Sequence, residues 1–268
     1  MSLDLVSPMQ YRGRRAAGGA PPLAAMQRAN IPSGGLKYWV ALSAASVLGC
    51  NTGDLFSSAF GFVSGLPLLA AGFLSVLWLE RRATRPAQAY YWLAIIAVRT
   101  AATNLADFLG QSFGIAGALA TLAALLLAAV LVGQGGPAKS ANPASSNMLP
   151  AVDAVYWFRM LIAGTLGTAL GDMSSFMSGM GLGGASLALS ALAVGLIAAR
   201  SAGALTSTLS YWFVVVAIRA AGTSLGDFSA HQNGLATSTA VSALVLASIL
   251  FFRPRNPVPA LGPVAARP

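Results

Sequence analysis

The sequence predicts an all-α integral membrane protein, with eight transmembrane helices arranged as four two-helix repeats in two parallel-oriented halves. Three observations carry this reading. The 268-residue chain is 56% hydrophobic and only 9% charged, with mean hydropathy +0.70, whereas a soluble domain carries about 25% charged residues. Its apolar residues gather into eight runs of membrane-crossing length. A Tyr-Trp pair recurs four times, each time with an Asp at a fixed distance behind it. The first observation excludes a soluble enzyme. The net charge of +9 does not indicate nucleic acid, because the basic residues sit in short segments between the apolar runs. One Cys, Cys50, excludes an internal disulfide. One His, His231, excludes bis-histidine haem and any zinc site built from His and Cys. No cofactor is expected.

Residues 1–36 hold Arg12, Arg14, Arg15 and Arg28 among Gly, Pro and Ala, and lack an apolar core. They read as a disordered basic arm, not a cleaved signal. The apolar runs follow at 38–58, 62–80, 90–110, 113–132, 155–177, 182–200, 209–230 and 234–252. Each has about 19–23 residues, enough at about 1.5 Å per residue to cross a hydrocarbon core of about 30 Å. Only helices or closed barrels satisfy their backbone in lipid, and these runs are too long and continuous for barrel strands. Residues 133–154, rich in Gly, Pro, Ser and Asn, form a cytoplasmic linker between a first half, 37–132, and a second, 155–252. Residues 253–268, with five prolines, are a tail.

Basic residues set the orientation. The arm with Lys37, the connectors 81–89, 133–154 and 200–208, and the tail hold 13 of the 16 Lys and Arg. The turns after the first, third, fifth and seventh runs hold none. The positive-inside rule then puts both termini in the cytoplasm of a bacterial inner membrane and those turns outside.

The repeat is internal and regular. Tyr38-Trp39, Tyr91-Trp92, Tyr156-Trp157 and Tyr211-Trp212 are each followed, 15 residues after the Trp, by Asp54, Asp107, Asp172 and Asp227. Repeats 2 and 4 also share Arg99 and Arg219, eight residues before the Asp, where repeats 1 and 3 have Ser46 and Gly164. That nesting suggests one hairpin doubled, then the pair doubled. Four helices per half make the two halves parallel. Trp39, Trp92, Trp157 and Trp212 start the odd-numbered helices, a depth that suits an interfacial aromatic belt.

Before each Asp stands a block of common form: small, Thr or Cys, two variable residues, small, Asp. Gly49 and Gly53, Gly167 and Gly171, and Gly222 and Gly226 supply the small positions in repeats 1, 3 and 4. Their four-residue spacing lets helix backbones approach closely. Cys50, Thr103, Thr168 and Thr223 lie one turn before the carboxylates, on the same face. Two readings stand. The aspartates end their helices at the outer interface, wet and inert, or they converge and bind a cation or carry protons. An Asp near a helix C-terminus meets the unfavourable end of the dipole. The only other acid within the apolar spans is Glu80, at a cytoplasmic end beside Arg81 and Arg82. Intramembrane ionisable groups are functional candidates. The arginines lie about 12 Å deeper than the aspartates, beyond direct reach on helices of equal height. They pair the halves structurally, couple to the charge of the acidic site, or meet an anionic substrate. Arg159 is placed to snorkel. His231 reads as solvated, and Met173, Met177 and Met180 as packing.

With Tyr211-Trp212, Gly222-Thr223-Ser224-Leu225-Gly226-Asp227 and their three counterparts on the page, the chain resembles a bacterial family of polytopic membrane-anchored proteins. That family is built from four tandem copies of a two-helix repeat of unknown function, and the resemblance spans roughly 37–252. It implies a fold and a compartment more than an activity. In such relatives a Glu can stand one turn before the Asp; here Cys50, Thr103, Thr168 and Thr223 take its place, which removes carboxylates. A family of cation transporters with paired Glu-x-Gly-Asp motifs is matched in part by Leu170-Gly171-Asp172 and Leu225-Gly226-Asp227, without the Glu.

These readings lead to a transport protein, a cation (proton or divalent metal such as manganese) exporter or antiporter. Asp54, Asp107, Asp172 and Asp227 would bind the ion, with Thr103, Thr168, Thr223 and Asn51 as neutral ligands and Arg99 and Arg219 coupling its charge. Access would alternate by rocking the two halves. The other reading is a non-transporting structural or accessory membrane protein. An enzyme is not expected, since no nucleophile–base pair appears. The expected partners are the lipid bilayer and a small cation; self-association into a homo-oligomer is left open.

Overall fold

Apolar runs separated by single glycines fold as helical hairpins, and the hairpins close into a ring. The computed structural model describes residues 31–83, 87–132 and 149–252. Among them are eight α-helices and no strand: α1 Leu36–Phe60, α2 Phe62–Arg82, α3 Gln88–Phe113, α4 Ile115–Val132, α5 Ala154–Asp172, α6 Gly181–Ser201, α7 Thr208–Asn233 and α8 Leu235–Phe251. Residues 1–30 of the expected arm, 133–148 of the linker and the tail from 253 lie outside the described residues. Three helices, α3, α6 and α7, are long and apolar enough to cross a membrane.

Local chemistry sets the ends. α1, α3 and α7 stop at Gly61, Gly114 and Gly234, with φ of 69°, 73° and 83° and ψ of 169°, 153° and 145°. Only glycine occupies that region freely, so the next helix starts one residue later. The third hairpin turns differently. α5 runs on into a π-helical segment, Met173–Met177, and bends back through Gly179 and Gly181. The Asp153 carboxylate caps α5 by accepting from the Tyr156 N–H at 2.8 Å. Ser207 caps α7 by accepting from the Ser210 N–H at 3.0 Å.

The four odd helices form the core. α1 packs on α3, α3 on α5, α5 on α7, and α7 back on α1. Each even helix lies mainly on the inner helix of the following repeat: α2 on α3, α4 on α5, α6 on α7, and α8 on α1. The outer surface carries large apolar side chains such as Leu187, Phe213 and Leu244, each more than 60% exposed. Inside, residues four apart along each inner helix stack in layers, the spacing of interdigitating i±4 ridges. A tyrosine layer at the N-terminal ends is followed by Leu42, Ile95, Met160 and Val215, all fully buried. Next come Ser46, Arg99, Gly164 and Arg219, then Cys50, Thr103, Thr168 and Thr223, and finally the four aspartates.

The tyrosine layer corrects the expected aromatic belt. Trp39, Trp92, Trp157 and Trp212 are buried inside the bundle, at 2%, 4%, 9% and 1% exposure, and do not line a lipid-facing girdle. The reason is the phenol hydroxyl beside each indole. Four such groups meet at the centre, with Tyr38 to Tyr91 at 3.1 Å, Tyr91 to Tyr156 at 2.6 Å, Tyr156 to Tyr211 at 3.2 Å and Tyr211 to Tyr38 at 2.8 Å. Each Trp then packs on the Tyr of the preceding inner helix. Trp92 lies 5.9 Å from Tyr38, Trp157 5.7 Å from Tyr91, Trp212 5.7 Å from Tyr156, and Trp39 5.5 Å from Tyr211. The cycle closes on itself, as the helix ring does. Arg159 likewise does not reach for the surface. It is buried and donates to the Ala129 carbonyl of α4 at 2.8 and 3.1 Å.

Candidate functional site

Glycines let the inner helices come close enough for the polar layers to meet. A Cβ at Gly53 would sit 2.7 Å from the Thr103 Cβ, and one at Gly171 2.8 Å from the Thr223 Cβ. At Gly49 and Gly167 a Cβ would overlap the stems of Arg99 and Arg219, at Gly222 the Ser46 hydroxyl, and at Gly226 it would lie 2.9 Å from the Asn51 carbonyl oxygen. All six bring an inner helix against its ring neighbour, and Gly164 does the same against Ala102 at 2.8 Å.

Arg99 stands at the centre with no exposed surface. Its guanidinium donates to hydroxyls from all four inner helices: Ser46 at 3.3 Å, Thr103 and Thr168 both at 2.7 Å, and Thr223 at 2.6 Å. The three threonines expected to be neutral ion ligands therefore turn their oxygens to Arg99. The cause is physical: a buried guanidinium needs acceptors, and the threonine hydroxyls around it supply them. Asn51 is engaged on its nitrogen side only. Its amide donates to Ser238 of α8 at 2.7 Å, leaving the carbonyl oxygen without a partner. The equivalent Asn104 donates to the Gly53 carbonyl at 3.1 Å, and its own oxygen also lacks a donor.

Arg219, in the same layer, faces the other way. It is fully buried, and one terminal nitrogen lies 3.4 Å from the Met160 sulfur. Its Nε and its other terminal nitrogen have no partner. Opposite orientations keep two like charges apart within one layer.

One turn beyond the threonines, the four aspartates share an end of the ring and are half-buried. Asp172 lies within electrostatic range of Asp227, Asp107 and Asp54, and Asp227 within range of Asp54 and Asp107. The tightest group is Cys50 with Asp54 and Asp227, whose sulfur and carboxylate oxygens lie within 4.8 Å of one another. The Cys50 thiol reaches the Asp227 carboxylate at 3.7 Å. Together these are one thiol and two carboxylates from opposite ends of the chain, set where a cation would find anionic ligands. His231, Met177 and Met180 are exposed and take no part.

Sequence reasoning missed Cys50 as a member of the acidic group, Ser46 as an acceptor for Arg99, and the four tyrosine hydroxyls. The signal was present as a four-residue ladder, Tyr38, Leu42, Ser46, Cys50 and Asp54, repeated in each inner helix. A straight helix drifts from such a row, so only crossing helices keep it on the axis.

Fold and site define a class: an all-helical, repeat-built chain whose buried axis is polar and carries ionisable groups. Residues 210–252, which hold α7 and α8 from Ser210 on, match a family model described as a Repeat of Unknown Function (DUF347). That match supports a repeat-containing chain of the same kind. No curated protein and no solved structure matches the sequence.

Proposed function

We propose that the chain is an eight-span transport protein of a bacterial inner membrane, with both termini cytoplasmic, built from four copies of the repeat. Its cargo is a small cation, a proton or a divalent metal ion. One observation carries the reading: each inner helix delivers a carboxylate to the same half-buried end of the ring, with Cys50, Asp54 and Asp227 at ligand-sharing distance. Carboxylates so placed repel one another unless a cation or protons come between them. The unpartnered oxygens of Asn51 and Asn104, one residue after the Cys50 and Thr103 positions, add acceptors near that end.

Arg99 makes the axis a gate. It sits two layers below the aspartates with its guanidinium reaching the threonine layer between, and its bonds to Thr168 and Thr223 tie the first half of the chain to the second. A rocking of the halves has to release those bonds, so loading of the acidic end and opening of the ring are coupled through this side chain. The second reading, a structural or accessory membrane protein, is favoured by the same contacts, which can serve simply to bolt four helices together.

The two separate in a thermal-shift panel on the full chain in detergent. A ligand that binds only the folded state raises its stability. A saturable rise with manganese, calcium or magnesium, lost in Asp54→Asn and Asp227→Asn, supports transport. An unaltered midpoint across the metals and across pH, with Asp→Asn variants that are merely less stable, supports the bolt.

A further inference from the structure

Arg219 is the group that the cation reading leaves unexplained. Its guanidinium is fully buried and reaches the layer of Met160, where its neighbours are apolar. Two of its nitrogens have no acceptor, and a thioether is a weak one for the third. Removing a cation from water without a counter-charge costs several kcal/mol, so this point of the fold favours an anion. On the far side of the same layer lies the hydroxyl ring of Tyr38, Tyr91, Tyr156 and Tyr211. Beyond that ring a third arginine, Arg200, places its guanidinium 5.4 Å above the Tyr211 ring and 5.7 Å from Trp39. The tyrosine layer is thus flanked by cations on both sides, while all the acids of the inner helices stand at the other end.

We propose that the two orphaned nitrogens of Arg219, on the tyrosine side of its layer, bind a small monovalent inorganic anion such as chloride. The anion would accept from the two orphaned Arg219 nitrogens on one side. On the other it would accept from a phenol O–H turned out of the hydroxyl ring, whose four protons face five oxygen pairs, the fifth being Tyr38 to Tyr156 at 3.5 Å. A water molecule would supply an acceptor but no charge, and the surroundings are too buried for a large anion. The site is separate from the carboxylates and does not rest on cation transport.

The test uses the full chain purified in detergent in a gluconate buffer free of halide. Sodium chloride is titrated in, with sodium gluconate holding ionic strength. The expected result is a saturable rise of about 2–4 °C in the unfolding midpoint. It is lost in Arg219→Met, partly kept in Arg219→Lys, and unchanged in Asp227→Asn. If Arg219→Met does not fold, chloride NMR on the unaltered protein decides: a saturable line broadening that bromide relieves supports the site. An absent or non-saturating response overturns the proposal, as does a response equal in Arg219→Met. Phenolate absorbance at neutral pH in the halide-free protein also overturns it, because a tyrosinate would then be the counter-charge. Loss of the cation response in Asp227→Asn with the chloride response intact keeps the two sites distinguishable.

Discussion

Arg99 and Arg219 occupy the same position of the repeat, at the same height in the ring, and both are fully buried. Arg99 looks toward the aspartates and is held by four hydroxyls from four helices. Arg219 looks toward the tyrosines and holds one sulfur. The difference lies in what stands beside them. Ser46 and three threonines can serve one guanidinium, and once Arg99 has taken them, none is left for a second. A repeated sequence therefore fixes where a charge sits but not what satisfies it, and breaking the equivalence yields one arginine that is a fastener and one that awaits a partner.

The largest effect expected is at the fastener. Arg99→Met leaves three threonine hydroxyls in the core without their donor and should lower stability by about 3–5 kcal/mol. Arg219→Met removes an uncompensated charge, so in halide-free detergent it should be neutral or stabilising. Unfolding midpoints of the two variants side by side check this; equal losses would erase the distinction.

Thr223→Val comes next. It deletes the shortest of the Arg99 contacts, at 2.6 Å, and should cost about 2 kcal/mol, the scale of a hydrogen bond to a charged group. The same change at Thr100, whose hydroxyl already lacks a partner, should cost little. Denaturation of both sharpens the account of which hydroxyls serve the arginine.

Close packing predicts a third contrast. Gly171→Ala forces a methyl against Thr223 and the backbone of α7, and should cost about 1–3 kcal/mol. Gly72→Ala and Gly117→Ala, each with open space around the new Cβ, should gain up to about 1 kcal/mol. The smallest effect is at the tyrosine ring. Tyr91→Phe removes one hydroxyl of a cluster that can re-pair among the other three, and should cost about 1 kcal/mol in the same unfolding measurement.

The helices were legible because apolar runs of regular length leave the backbone no other solution. Of the glycine turns, Gly61 falls between two runs, while Gly114 and Gly234 stand within the first two residues of theirs. The alignment of the aspartates was legible too, since equal intervals from Tyr-Trp put them at equal heights. What one helix hides is its azimuth within a ring. Trp39 reads as a belt residue when α1 is taken alone; only when α7 supplies Tyr211 does its inward position become the stable one. The threonines read as ligands because they share a face with the aspartates, but the Arg99 guanidinium at the centre of the ring reaches all three. Cys50 reads only as the residue in the Thr position of its block until ring closure brings Asp227, 177 residues away, to its thiol.

The central claim is that the carboxylates at the open end of the ring act together on an ion. The direct measurement is ion flux in proteoliposomes of the unaltered chain and of Asp54→Asn, Asp107→Asn, Asp172→Asn and Asp227→Asn, each checked for folded protein. The account predicts flux in the first and a loss of tenfold or more in the variants, deepest at Asp54 and Asp227. Flux that is the same in all five, or absent from all five, would contradict it.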